Sequence, residues 1–281
     1  MPELPEVETI RLDLRRLVVG RKIVEAWVSP NAPKLVQGQS PEDFCRRIAG
    51  RVVEDVTRRG KYLLLHLSGG LVWVVHLRMT GSVQRQPGGS ADDRFLRARF
   101  RLDDGNELCY SDLRKLGMMW LAEDESEVVG KLGPEPLGEG FGPKELRSLL
   151  ARRAAPVKAV LMDQAAIAGI GNIYADEALF AARVHPARPA KSLSRREAER
   201  LHWCIRQVLV DAMGNRGSSF RDYVDAAGRE GEHQLHVKVF RRTGQPCPDC
   251  GTAIERIKVG GRSTHFCPRC QRRQGGGGGK G

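Results

Sequence analysis

At 281 residues the chain has room for about two domains, each able to bury an ordinary core. Its formal charge of +12 and pI near 9.7 favour a polyanionic partner, with nucleic acid, ribosome and membrane surface all open on that ground alone. Apolar runs as short as Leu71-Val72-Trp73-Val74-Val75 exclude a bilayer-spanning helix, and the opening lacks the charged, apolar and small-residue regions of a secretory signal.

The first predicted element is a helix over about residues 3–18, ended by Gly20. Val7, Ile10, Leu14, Leu17 and Val18 recur there at helical spacing, with Arg11, Arg15 and Arg16 between them. A β-rich stretch follows. Lys22–Val28, Val52–Thr57, Tyr62–Leu67 and Leu71–Leu77 read as strands, the last two joined by Ser68-Gly69-Gly70. Ala98–Leu102 and Glu107–Tyr110 flank Asp103-Asp104-Gly105-Asn106, a second hairpin signal. Strands this dense, with no helices between them, predict a sandwich rather than a parallel sheet.

The pattern changes at Leu132-Gly133-Pro134-Glu135-Pro136-Leu137, which reads as a domain boundary. Beyond it the period is helical, over Pro143–Ala151, Pro156–Gln164, Ile173–Ala182 and Leu193–Met213, with Ser194 and Glu197 as a capping box for the last. The polar, glycine-rich residues 214–232 predict a mobile loop, and residues 275–281 a disordered tail.

Three places carry chemistry. Pro2 is small enough to permit removal of Met1, which would expose a secondary amine. An α-amino group titrates near ~8 against ~10.4 for lysine, so far more of it is neutral and nucleophilic at pH 7, and such an amine attacks a carbonyl carbon to form an iminium. Glu3, Glu6 and Glu8 stand beside it for proton transfer; read alone, the same residues are a helix start. Four of the seven cysteines form the knuckles Cys247-x-x-Cys250 and Cys267-x-x-Cys270, the donor set of one structural Zn²⁺ with no open coordination position. That usage fits a reduced cytosolic protein better than a disulfide framework. Residues 236–273 hold nine Lys/Arg against two acids, a formal +7, which zinc with four thiolates lowers to about +5, still a polyanion-binding surface. Gly260-Gly261-Arg262-Ser263 reads as the tip of a hairpin between the knuckles, with Arg262 either solvated or a contact. Gly169-Ile170-Gly171-Asn172 precedes a helix and is either an ordinary turn or a phosphate approach. Lys61 and His76 read equally as surface or core.

Taken together, the opening Pro2-Glu3-Leu4-Pro5-Glu6-Val7-Glu8, the stretch Ala168-Gly169-Ile170-Gly171-Asn172-Ile173-Tyr174-Ala175-Asp176-Glu177 and the paired knuckles resemble the formamidopyrimidine-DNA glycosylase family of base-excision repair enzymes, over essentially residues 2–273. The resemblance implies an α+β architecture: an N-terminal catalytic β-sandwich with flanking helices (1–132), a helix–two-turns–helix domain (138–232) and a zinc-finger β-hairpin (236–273). It implies a bifunctional glycosylase and abasic-site lyase that excises 8-oxoguanine and formamidopyrimidines from double-stranded DNA and cleaves the strand by β,δ-elimination. The expected protein is a monomer, cytoplasmic and nucleoid-associated in a bacterial-type cell, with no membrane partner.

Position by position, Pro2 is similar to the family's nucleophile, Glu3 to the acid that assists sugar-ring opening and Glu6 to a supporting site residue. Lys61 resembles the hairpin lysine that reaches the damaged base and its phosphate. Asn172 and Arg262 resemble the pair that hold phosphates around the extruded nucleotide, with His76 and Lys158 as further phosphate-contact candidates. Met79 matches the intercalating methionine, although Arg78 replaces the usual glycine. The family's Asp-Pro-Arg-Arg-Phe-Gly reads Asp112-Leu113-Arg114-Lys115-Leu116-Gly117 here. Arg114 faces the orphaned base in that scheme, while Leu116 removes an aromatic wedge. Phe240-Arg241 stands for the usual Tyr-Gly and removes a hydroxyl. Other readings are an endonuclease VIII-type enzyme for oxidised pyrimidines, a non-catalytic zinc-containing DNA-damage-binding protein, and a tautomerase using the terminal proline as base.

Overall fold

The computed structural model describes residues 1–89 and 93–273; the tail expected at 275–281 lies outside them. The chain divides into two compact units, residues 1–131 with 212–234, and residues 132–211 with 235 onward.

The first unit opens with helix α1 (Leu4–Val18). Leu4, Val7, Ile10, Leu14 and Val18 are fully buried, as the apolar stripe predicts, and Gly20 at φ +81° ends it. Two four-stranded antiparallel sheets follow. One runs in the order β1 (Ile23–Val28), β6 (Leu96–Leu102), β7 (Asn106–Asp112), β5 (Gly81–Pro87). The other runs β2 (Val53–Arg59), β3 (Tyr62–Leu67), β4 (Leu71–His76), β8 (Met118–Ala122). Alternate residues of β3 and β4, among them Leu63, Leu65, Trp73 and Val75, enter the core between the sheets. Phe44, Trp73 and Phe100 meet there, with Trp73 and Phe100 ring centroids 4.2 Å apart. His76 has the opposite parity to Trp73 and Val75 and stacks edge-on to Tyr62 at 4.5 Å.

Two strands and two helices of this unit have no counterpart in the sequence pattern. β5 is polar and β8 short; α2 (Pro41–Ile48) carries Ser40 as N-cap, whose hydroxyl accepts the Asp43 N–H at 3.1 Å. A short α3 (Ser126–Val129) closes this part.

The second unit holds α4 (Pro143–Ala151), α5 (Val157–Met162), α6 (Asn172–Ala181), most of α7 (Arg195–Gly214), and the hairpin β9 (Glu255–Val259) with β10 (Arg262–Phe266). The capping box of α7 forms in both directions: Ser194 N–H to Glu197 at 2.8 Å, and Glu197 N–H to the Ser194 hydroxyl at 3.3 Å. The glycine-rich segment after α7, expected within the helical domain, groups with the first compact unit. It is irregular, as a loop should be, yet well tied: Asp225, 1 % exposed, accepts the N–H groups of Ala227 and Arg229, and Arg216 binds both Asp225 and Asp13 of α1.

Candidate active site and nucleic-acid interface

Pro2, Glu3 and Glu6 are buried at the start of α1. Glu3 precedes the helix in extended conformation, so its N–H is one of the donors that a helix start leaves unpaired. The Glu6 carboxylate accepts that N–H at 2.7 Å and, through its other oxygen, the Ser218 N–H at 2.8 Å. Glu6 therefore ties the terminus to the loop after α7. Gly217 passes so close to Glu6 that an added Cβ would lie 2.9 Å from its Cγ, at a φ of +80° that also favours glycine. The Tyr223 hydroxyl donates to the Glu6 and Arg216 carbonyls from below the same turn.

The terminal amine of the full chain sits in this setting. Burial holds it below its ordinary value; Glu3, Glu6 and Asp222 oppose that, and Lys61 assists it. A larger neutral fraction is what a nucleophilic amine needs near pH 7.

Lys61 is the second residue of the two-residue turn between β2 and β3, where a positive φ at Gly60 alone marks a II′ turn. Although at a hairpin tip, it is only 6 % exposed, and its charge acts on both the terminal amine and His76. The hairpin is braced from below: Arg58 Nε donates to Glu8 at 2.9 Å, and its Nη1 to the Gly60 carbonyl at 2.9 Å. Burial works against the Glu8 charge, but Arg11 and Arg58 hold its carboxyl below the usual range.

His76 is neutral. Burial first, then Arg78 and Lys61, lower its pKa to about 3. The Arg78 N–H donates to Nδ1 at 3.0 Å, which fixes the proton on Nε2 and makes that nitrogen a donor. Met79, Arg114 and Leu116 are exposed on two turns of the same unit.

Asn172, Lys158 and Arg262 lie in the second unit. Asn172 opens α6 behind Gly169 at φ +89°, and Gln164 braces the approach by bonding the Gly169 N–H and the Ile170 carbonyl. Among the described residues, the Asn172 Oδ1 is buried without a hydrogen-bond partner. Arg262 is exposed and follows Gly260-Gly261, both at positive φ, which is a I′ turn.

Lys158 was expected to contact phosphate, and among the described residues it has protein partners. It is fully buried, with Nζ 2.7 Å from Asp176 and donating to the Ser263 carbonyl and the Thr264 hydroxyl. Asp176 also accepts the His265 N–H at 2.9 Å, and the adjacent Glu177 accepts three successive N–H groups, from Lys238, Val239 and Phe240. Desolvation raises Glu177 despite those three donors. The acid pair on α6 thus fixes β10, which carries Arg262, and the turn that carries Phe240. Sequence reading placed both acids in the motif without a role; two adjacent carboxylates inside an apolar helix were the signal.

The four knuckle sulfurs lie within 4.8 Å of one another, Cys247–Cys270 at 3.9 Å and Cys250–Cys267 at 3.5 Å. A tetrahedron with Zn–S bonds of about 2.3 Å has edges near ~3.8 Å, so the donors fit zinc. Gln271, fully buried, locks the second knuckle by accepting the Cys267 N–H and donating to the Val184 carbonyl.

Three family models match in sequence order: the formamidopyrimidine-DNA glycosylase N-terminal domain over residues 1–119, the H2TH domain of the same family over 132–223, and the zinc finger found in FPG and IleRS over 244–273. A formamidopyrimidine-DNA glycosylase of Symbiobacterium thermophilum is 48 % identical over 96 % of this chain and 89 % of its own length. One from Herpetosiphon aurantiacus is 46 % identical over 96 % of this chain and all of its own. Lactococcus lactis Fpg in complex with DNA containing an abasic site superposes with a TM-score of 0.90 at 34 % identity, covering 96 % of this chain and all of that one. The wild-type Lactococcus protein bound to DNA with an oxidised pyrimidine gives 0.89 at 34 % identity, over 97 % and 100 % of the two chains.

Proposed function

The chain belongs to the formamidopyrimidine-DNA glycosylase family, and we propose from that premise that its N-terminal proline is the nucleophile of a base-excision repair enzyme. The protein is a bifunctional DNA glycosylase and abasic-site lyase acting on damaged duplex DNA, with one structural zinc. Its substrates are oxidised purines, 8-oxoguanine and formamidopyrimidines, consistent with the name its relatives carry. No helix among the described residues is long and apolar enough to cross a membrane; we place the enzyme in the cytoplasm, acting on the nucleoid as a monomer.

The observation that carries the reading is the setting of Pro2, buried at the start of α1 beside Glu3 and Glu6, where the Glu6 carboxylate ties the Glu3 N–H to the Ser218 N–H. With Met1 removed, the Pro2 nitrogen attacks C1′ of an extruded nucleotide and the C1′–base bond breaks. Glu3 delivers a proton to the ring oxygen as the sugar opens, leaving an iminium. Loss of a C2′ proton expels the 3′ phosphate, loss of the C4′ proton expels the 5′ phosphate, and water adds to the iminium carbon to release the proline. Lys61 holds the base and its phosphate. His76, Asn172 and Arg262 hold the backbone, and Met79 and Arg114 occupy the vacated stack. In this reading the catalytic domain is residues 1–132, the helix–two-turns–helix domain is 138–232, of which the segment from 212 groups with the first compact unit, and the finger spans 236–273.

The test is borohydride trapping on an 8-oxoguanine duplex. A covalent adduct that disappears in Pro2→Gly is the expected result, with intact mass showing loss of Met1. Specific duplex binding without adduct or strand cleavage, on oxidised purine or pyrimidine, would identify a damage-binding protein instead.

A further inference from the structure

We propose that Asp112 is a positioning residue that joins the two turns carrying Met79, Arg114 and Leu116 into one rigid wedge. The inference rests on the enzymatic reading above.

Asp112 ends β7 and is 1 % exposed. Its Oδ1 accepts the Thr80 hydroxyl at 2.5 Å and the Arg114 N–H at 3.0 Å. Its Oδ2 accepts the Leu116 and Gly117 N–H groups, both at 2.8 Å, and its carbonyl accepts Arg97 Nε at 3.1 Å. Thr80 closes the cross-link, because its hydroxyl oxygen also accepts the Arg114 N–H at 3.1 Å. A single carboxylate thus holds the turn after β4, with Met79 at its tip, and the turn after β7, with Arg114 and Leu116 at its tip.

The surroundings leave this arrangement no slack. A Cβ on Gly117 would lie 1.5 Å from the Tyr110 hydroxyl, and one on Gly81 would lie 2.5 Å from the same oxygen. Beside the cations Arg114 and Lys115, the anchor presents apolar side chains: Met79, Leu113 and Leu116 are 39, 52 and 43 % exposed. Such side chains in water, on backbone pinned by a buried charge, suit a device that must push base pairs apart without yielding. With leucine at 116, less area enters the stack, so more of the task falls on the stiffness of the mount.

Asp112→Asn keeps the shape but replaces one acceptor oxygen by a donor, so at least one of the bonds from a backbone N–H is lost. Thr80→Val removes only the link between the turns. Each is compared with wild type on an oxidised-purine duplex and on a single-stranded abasic oligonucleotide, which needs no wedge. The expected result is a fall in the duplex-to-single-strand rate ratio, about tenfold to a hundredfold for Asp112→Asn and smaller for Thr80→Val. Adding Asp112→Asn to a Met79→Ala, Leu116→Ala background should cost nothing more on duplex. Equal loss on both substrates, no loss on either, or full additivity in the cycle each overturns the proposal. A wild type that traps neither substrate overturns the enzymatic reading and takes this inference with it.

Discussion

His76 is 7 % exposed with Arg78 and Lys61 as charged neighbours, and its pKa of about 3 compares with 6.5 for a free imidazole. Between those two values the unfolded chain binds a proton that the native chain does not. Stability therefore rises with pH through that window and is lost on acidification, by at most about 1.4 kcal/mol per pH unit. His76→Gln, which keeps an acceptor and a donor but cannot titrate, should flatten that part of the curve when urea unfolding is compared at pH 6 and pH 4; parallel curves would refute the buried neutral ring. Arg78 contributes a second residue-scale effect. Among the described residues, five non-glycine positions have positive φ, and all are cations: Arg78, Lys115, Arg183, Arg216 and Arg241. Arg216 is held by Asp13 and Asp225, and Arg183 pairs with Asp249 at 3.8 Å. Arg78, Lys115 and Arg241 flank Met79, Leu116 and Phe240, and two of them stand where the resembled family has glycine. Left-handed backbone costs a side chain roughly 1 kcal/mol. Arg78→Gly should therefore gain up to about 1 kcal/mol in urea unfolding while weakening duplex binding; unchanged binding would leave the strain without a functional return.

At the scale of elements, what could be read was local. The stripe of α1, the hairpin through Gly69-Gly70, the capping box of α7 and the knuckle hairpin each carry their pattern within a short window, and each forms within a few residues of the expected limits. β5 could not be read because Gly-Ser-Val-Gln-Arg-Gln-Pro has little apolar content; it is a strand because β7 offers its edge, from Gly81 opposite Asp112 to Pro87 opposite Asn106. The site divides in the same way. The carboxylates beside Pro2 were legible from proximity in sequence, but the partner of Glu6 lies 212 residues away at Ser218, and no pattern in the chain announces it. The partners of Lys158, Asp176 and Thr264, are likewise distant in sequence, and no pattern announces them. Gly217 tests the Glu6 link directly. With φ at +80° and Glu6 where a Cβ would go, Gly217→Ala should cost about 1–2 kcal/mol in unfolding free energy and reduce borohydride trapping, since Glu6 must move. A variant with full trapping would show that the terminus does not depend on this contact.

For the molecule as a whole, the charge of +12 leaves two accounts of DNA binding, general attraction or cations held at fixed places. Zinc separates them. The finger segment carries about +5 with metal and thiolates, and about +7 once zinc is removed and the thiols, with ordinary values near ~8.5, take up protons. If charge alone bound the duplex, chelation would leave affinity unchanged or raise it. If placement matters, chelation should lower it, because the knuckles hold the ends of the hairpin that carries Arg262 after its Gly260-Gly261 turn. We expect the second outcome: weaker duplex binding after chelation, restored by added zinc, with a shallower dependence of log K on log salt. Arg262→Ala in the zinc-loaded protein should reproduce the part due to one phosphate contact, reducing that slope by about 0.9. Because the terminal amine and the finger belong to different units, trapping of a short single-stranded abasic oligonucleotide at saturating concentration should survive chelation. Binding that tightens on loss of zinc would refute the fixed-cation account.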